Sequence, residues 1–376
     1  MGASLQEIAA ALHVSPSTVS RAISAPHLVS AKTRERILKY VDKIGYKPNI
    51  SARNLRRQSS TTVGIILNDL DDSIIAHAAN VMQNIAFQRG YFPVLLTTDE
   101  SYDKEAEALD RMLMSNVCGM VIIPSSYSGE LFGSIDIPIV ELDRSSFLHR
   151  HNEFRMDDTA AMQIATDYLI QQGCKHIAVL LGNIDRVSSF RARYMALSMC
   201  NNSIRYSPFL LQATETQKII NDACYLTQAI MQCQAKSRLD LAMQEAIDHA
   251  PPEQEPSASP LITLEGLQER LLPNSADLRH CTRDRTIDGL LTTNQSLCTG
   301  MLRAFNANPE WAEQNIKLFT FDNPSYLQVL PYRIATLSQP LEHAASMAMN
   351  CLLDRIEGKI QDHAEVHLLR PELLAD

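Results

Sequence analysis

From Thr62 onward the chain alternates short, almost wholly apolar runs with longer stretches of helical period, and this alternation restricts its fold more than any other feature. Residues 63–67, 92–96, 119–123, 137–142, 176–181, 287–292 and 316–321 read as strands. Residues 75–89, 104–114 and 160–172 read as amphipathic helices, the first and last closed by Gly90 and Gly173. A strand with no polar alternation is covered on both faces, and a parallel neighbour is reached only through a crossover, usually a helix. The pattern therefore predicts an α/β body with parallel sheets. Neither G-x-G-x-x-G nor G-x-x-x-x-G-K-[ST] occurs, so a dinucleotide or P-loop site lacks its phosphate cradle.

The rhythm fails between about Ser207 and Arg285. Residues 218–250 have helical composition, 251–260 (PPEQEPSASP) have the composition of a loop, and 264–272 suit a short helix. A long crossover would account for this. The reading adopted is an insertion within 207–285, peripheral to any binding site.

Ahead of Thr62 the chain is of another kind. Leu5, Ile8, Ala9 and Leu12 form a short helical stripe that ends at His13-Val14. Ser15 is a favoured N-cap, and Pro16 sits at the first helical position, where its missing N–H costs nothing. Val19 and Ile23 share one face of this second helix, leaving Pro16, Ser17, Ser20 and Arg21 on the other, with no acid from Ser15 to Ser24. Hydroxyls hold phosphates and a guanidinium grips guanine O6 and N7, so the pair reads as a helix-turn-helix; an ordinary helical hairpin is the competing reading. Ser30 then caps a third helix, with Ile37, Leu38, Val41 and Ile44 inward and Gly45 at its end. Residues 1–46 thus make a small three-helix unit, marginal by itself. Residues 47–60 form a basic linker in which only Ile50 and Leu55 are large and apolar, so it is expected to order on a partner; a solvated linker is the alternative.

Charge separates the two regions. The 376 residues carry a net −9, but 1–58 hold ten basic residues against three acidic ones, leaving −16 on the rest. A basic head on an acidic body is the electrostatic footprint of a nucleic-acid-binding module attached to a larger domain. The eight cysteines are scattered with no C-x-x-C, no apolar run approaches the ~18 residues of a membrane span, and no signal peptide opens the chain, so a cytoplasmic protein is expected. His149 and His151 have no Cys or Glu cluster in support and read as loop residues, not a metal site. No Ser-His-Asp set or carboxylate pair can be placed, so neither enzyme activity nor a cofactor is expected.

The order of these parts resembles the LacI/GalR (lactose-repressor) family of transcription regulators. The residues that carry the resemblance are Ile8-Ala9, the run from Val14 to Arg21, Val29-Ser30, Gly45-Tyr46-Lys47-Pro48-Asn49, Ala52-Arg53-Asn54-Leu55 and Val63-Gly64-Ile65-Ile66. Further on come Leu142-Asp143-Arg144, Phe321-Asp322-Asn323 and Gln339-Pro340. The resemblance implies a homodimer on a near-palindromic operator, contacted through Ser4, Ser15, Pro16, Ser17, Ser20, Arg21, Asn49, Ala52 and Leu55. Leu55 would wedge into the minor groove from a hinge over 47–60. It further implies a two-lobed body like the periplasmic sugar-binding proteins, closing on an effector such as a sugar or nucleoside held by Asn68, Asp143, Arg191, Asn294 and Asp322. The lobes would comprise about 61–157 with 340–366, and 158–339 with 367–376. His13 replaces the usual turn glycine, Ile74-Ile75 an aromatic pair, Gln295 an aspartate and Tyr194 a glycine. The function implied is a DNA-binding repressor modulated by a small polar effector. The alternatives are a solute-binding protein or a sugar-active enzyme on the same body.

Overall fold

The computed structural model describes residues 5–24, 28–44, 60–125, 129–133, 135–247, 270–272, 286–361 and 363–374. They belong to two units, Met1–Ser60 and Thr61–Asp376.

In the first unit α1 (Leu5–Ala11), α2 (Pro16–Ser24) and α3 (Ala31–Ile44) enclose Ile8, Ala9, Val19, Ala22, Ile37 and Val41. α1 stops because His13 takes a φ of 50°, a left-handed conformation that histidine tolerates. The Val14 N–H then bonds to the Ala9 carbonyl at 3.0 Å and the His13 N–H to the Ala10 carbonyl at 3.2 Å, satisfying two carbonyls at the helix end. α2 starts where Ser15 Oγ accepts the Thr18 N–H at 3.1 Å. Ile44, expected inward, is exposed, because the buried stripe of α3 ends at Val41, before the helix does.

The second unit begins with β1 (Thr62–Leu67), α4 (Ser73–Gln88), β2 (Phe92–Thr97), α5 (Tyr102–Met114), β3 (Met120–Ile122), β4 (Ile139–Leu142) and β5 (Asn152–Met156). The chain then builds a second lobe from α6 (Asp158–Gln171), β6 (His176–Leu181), α7 (Ser188–Ala196), β7 (Arg205–Leu210), α8 (Thr216–Ile247), β8 (Gly289–Thr292), α9 (Gln295–Ala307), β9 (Lys317–Phe321) and β10 (Ile334–Ser338). It returns for α10 (Leu341–Ile356) and β11 (Val366–Leu369) and ends in the second lobe with β12 (Glu372–Leu374). The first sheet runs β11-β5-β4-β3-β1-β2, entirely parallel. The second runs β12-β10-β9-β8-β6-β7, parallel except for β12. Along β1, Val63, Ile65 and Leu67 pack with residues of α4 and α10, and Ile66 with residues of α5. This period of two, with apolar cover on both faces, is what the unbroken apolar run demands.

Two expectations need correction. The last crossing between lobes falls at 370–371 and not at Val366, because β11 pairs along β5 with Val366 opposite Glu153 and Leu369 opposite Met156. The irregular stretch is also not peripheral from its start. Ser207 lies in β7, opposite Ala178 of β6, and the first half of α8 buries Ile219, Ala223, Leu226, Ile230 and Met231 in the lobe's core. By Leu271 the chain is back beside Leu211 in an antiparallel bridge, so the short helix expected over 264–272 does not include 270–272. Residues 251–260 lie outside the described residues.

Candidate functional site

The head presents its surface through α2. Val19 and Ala22 are buried, while Ser15, Pro16, Ser17 and Arg21 are exposed and Ser20 is half-buried. Ser15 Oγ lies 2.7 Å from Ser17 Oγ and 2.8 Å from Thr18 Oγ1, so three hydroxyls cluster at the start of a helix that has no acid. Helix N-termini and hydroxyls are both phosphate contacts, and Arg21, one turn on, is a base reader by chemistry. Not every cation of the head is available to DNA. Arg36 Nη2 donates to the Leu12 carbonyl at 2.9 Å, tying α3 to the turn between α1 and α2. Ser4, Asn49, Ala52 and Leu55 lie outside the described residues.

The body's cavity opens at the carboxyl ends of the strands of both sheets, where α/β folds place their ligands. Asn68 follows β1, Asp143 follows β4, Asn294 follows β8 by two residues and Asp322 follows β9; all four line one cavity. Asp143 and Asp322 are equivalent in the two lobes. Each follows its strand with positive φ, 63° and 71°, and each N–H bonds to a carbonyl of the neighbouring strand, at Phe154 (2.9 Å) and Leu337 (2.8 Å). Non-glycine residues held in this region concentrate at functional sites. Asn294 spends its Oδ1 on the Leu297 N–H as the N-cap of α9, leaving its amide donors for a ligand.

Arg191 is not among the residues lining the cavity. It is exposed on α7, and Arg193, 3% exposed, lines the cavity in its place. Ser189, Phe190, Arg193 and Ala196 form the buried face of α7, and two residues of helix turn Arg191 by about 200° away from Arg193. Arg193 Nε donates to Asp158 Oδ1 at 2.8 Å, and its Nη1 donates to the Thr293 carbonyl. Phe190 fits under α7 only because residue 182 is glycine: a Cβ there would stand 2.2 Å from its ring.

Sequence reasoning also missed Asp69, Asp72 and Glu100, all lining the cavity. Asp72 is the N-cap of α4, accepting the Ile74 N–H at 3.0 Å. Glu100 holds Arg144 with two bonds, of 2.7 and 2.8 Å. The strand-end rule would have found Asp69 and Glu100, each within three residues of a strand's carboxyl end. Thr214, Thr216 and Ile219 line the cavity too, so the irregular region is part of it.

Burial and mutual repulsion act on the acids. The Asp322 carboxyl, 1% exposed, is pushed up to about 7 by burial and then by the charge of Asp72, partly offset by Arg193 and the Gln339 amide. Asp72 is raised by burial, opposed by its cap bond to Ile74 and reinforced by Asp143 and Asp69. Among the described residues, hydrogen bonds join the lobes across the cavity from Ser73 Oγ to Gln295 Oε1 at 3.0 Å, from the Ser145 N–H to Ser188 Oγ at 3.0 Å, and from Thr216 Oγ1 to Asp69. The cavity is about 60 Å3, room for roughly four waters.

Comparison with known proteins agrees with both regions. Residues 4–49 match the model of bacterial regulatory proteins, lacI family, and residues 60–200 that of periplasmic binding proteins and the sugar-binding domain of the LacI family. The ribose operon repressor of Halalkalibacterium halodurans is 22% identical over 359 residues, 95% of this chain and 92% of the relative. The HTH-type transcriptional repressor PurR of Vibrio parahaemolyticus is 21% identical over 376 residues, 99% and 97% of the two chains. The Lac repressor dimer bound to operator and the anti-inducer ONPF shares the fold, with a TM-score of 0.70 and 18% identity over 100% of this chain and 98% of that one. With a basic helix-turn-helix unit followed by a two-lobed body whose strand ends converge on one cavity, the chain belongs to the LacI family of bacterial regulatory proteins.

Proposed function

We propose that the chain is a transcription repressor that binds a near-palindromic operator as a homodimer in the cytoplasm, its affinity set by a small polar molecule in the interlobe cleft. The observation that carries this reading is the exposed face of α2, where clustered hydroxyls and Arg21 meet solvent with no acidic residue on the helix. Leu55, in the hinge over 47–60, is assigned the central minor-groove wedge, and Ser4, Asn49 and Ala52 are assigned flanking contacts. In the body the reading assigns effector contact to Asn68, Asp143, Asn294 and Asp322, with Arg193 replacing Arg191. A repressor of this design is not an enzyme: the cleft's carboxylates serve recognition.

The test is selection of genomic fragments by the full-length protein, followed by gel shift on the enriched sequence. An inverted repeat should emerge. Arg21→Ala should cost about 1–3 kcal/mol and relax preference at one position in each half-site. A uniform loss on every sequence, with a salt dependence shallower by about one phosphate, would make Arg21 a backbone contact. No enriched sequence at all would end the repressor reading.

A further inference from the structure

The cleft carries an excess of negative charge. Five carboxylates line it, Asp69, Asp72, Glu100, Asp143 and Asp322, against two guanidiniums, each already paired with an acid of the chain. Arg144 is gripped at both Nη atoms by Glu100, and its Nε, buried without a hydrogen-bond partner, lies 3.6 Å from Asp143 Oδ2. Arg193 is committed to Asp158 and to the Thr293 carbonyl. Among the described residues Asp69, Asp72 and Asp322 form no ion pair.

A second observation points the same way. Asn68 is 7% exposed, and its Nδ2 donates to Glu100 Oε1 at 2.9 Å, which fixes the amide's orientation. The Oδ1 left over is buried without a hydrogen-bond partner. A buried acceptor in that state is costly and calls for a donor. The carboxylates are also spread too widely for an ion: among the described residues no three His, Cys, Asp or Glu side chains converge as a metal site.

We infer that the effector is a small organic cation, a protonated amine on a hydroxylated carbon frame, and that phosphorylated and carboxylated sugars are excluded. This rests on the reading of the cleft as the effector site. An ammonium group brings three donors and no acceptor, which matches a wall of carboxylate and amide oxygens. A phosphate would add negative charge beside Asp69, Asp72 and Asp322, where the dielectric screens like charges weakly. A cation also offsets the burial and mutual repulsion that push the Asp322 carboxyl up to about 7 and raise that of Asp72, so its binding releases protons and tightens as pH rises through about 7.

The test uses calorimetry on the full-length protein, with ethanolamine, glucosamine and galactosamine against ethylene glycol, glucose, galactose and glucose 6-phosphate. At least one amine should bind about tenfold or more tighter than its uncharged counterpart, with proton release evident from buffers of different ionisation heat, while glucose 6-phosphate gives no heat. Asp72→Asn keeps a good N-cap and should erase most of the amine preference. A phosphorylated or neutral member binding as tightly as the amines, or silence of every amine at millimolar concentration, overturns the inference. Operator binding is measured separately by gel shift, so its failure would count against the repressor reading and leave the cation result standing.

Discussion

Two residues of chain separate the guanidinium that lines the cleft from the one that does not. Arg193 is buried against Asp158, itself 6% exposed, whose carboxyl burial pushes up to about 6 even though Arg193 pulls it down. Arg193→Ala would strand that carboxylate and should cost about 3–5 kcal/mol of stability, read from urea unfolding. Arg191→Ala, at an exposed position, should change it by no more than about 0.5 kcal/mol. Equal effects would mean that the Arg193–Asp158 pair does not form in solution. The sequence motif selected the wrong arginine because Ser-Ser-Phe-Arg-Ala-Arg fixes the presence of a helix but not its phase. The phase was available in Phe190, Arg193 and Ala196, whose spacing marks one face. Asp143 and Asp322 were legible for a different reason: each directly follows an apolar strand, and a strand's end is where its next side chain reaches a cleft. In the head, Ser15 and Pro16 were legible because helix-start chemistry is local and needs no tertiary context.

At the scale of elements, the strands with a nearly unbroken apolar run were readable, and β5, which is largely polar, was not. β5, Asn152-Glu153-Phe154-Arg155-Met156, has the composition of a loop, yet Asn152 and Glu153 are buried. Glu153 is kept there by Ser145 Oγ at 3.0 Å and Arg155 Nε at 3.2 Å, partners that only the fold assembles. α8 poses the opposite problem, since its helical composition runs into the irregular stretch without showing which half is core. Gly300 of α9 marks the half that is: a Cβ there would stand 2.4 Å from the Ile220 carbonyl oxygen and 2.6 Å from Ala223 Cβ. Gly300→Ala removes a residue that costs a helix about 1 kcal/mol, but the obstacle is largely backbone and cannot swing aside. The clash should win, lowering stability by about 1–3 kcal/mol in urea or thermal unfolding. A stabilised variant would show that α8 and α9 do not pack this closely.

Across the whole molecule two tendencies oppose each other in the cleft. Interlobe bonds at Ser73, Ser145 and Thr216 draw the lobes together, while Asp69, Asp72 and Asp143 from one lobe and Asp322 from the other carry like charge into the same space. pH sets the balance, and the sign follows from where each proton is held. In the unfolded chain Asp322 titrates near 3.9, but in the fold it titrates near 7. Between about pH 4 and pH 7 the folded protein therefore holds a proton that the unfolded chain has released, so raising pH across that window favours unfolding. Below about 4 both states hold the proton and above about 7 neither does, so the contribution flattens at both ends. Asp72 and Asp158, also raised, act with the same sign. The wild type should thus lose thermal stability relative to Asp322→Asn as pH climbs from 4 to 7, whatever constant offset the altered hydrogen bonds to Gln295 and Gln339 introduce. Melting curves of the two proteins at half-unit steps from pH 4 to 8 measure that difference directly. Parallel curves would mean that Asp322 keeps one protonation state across this range, and an incoming cation would then release no proton from it.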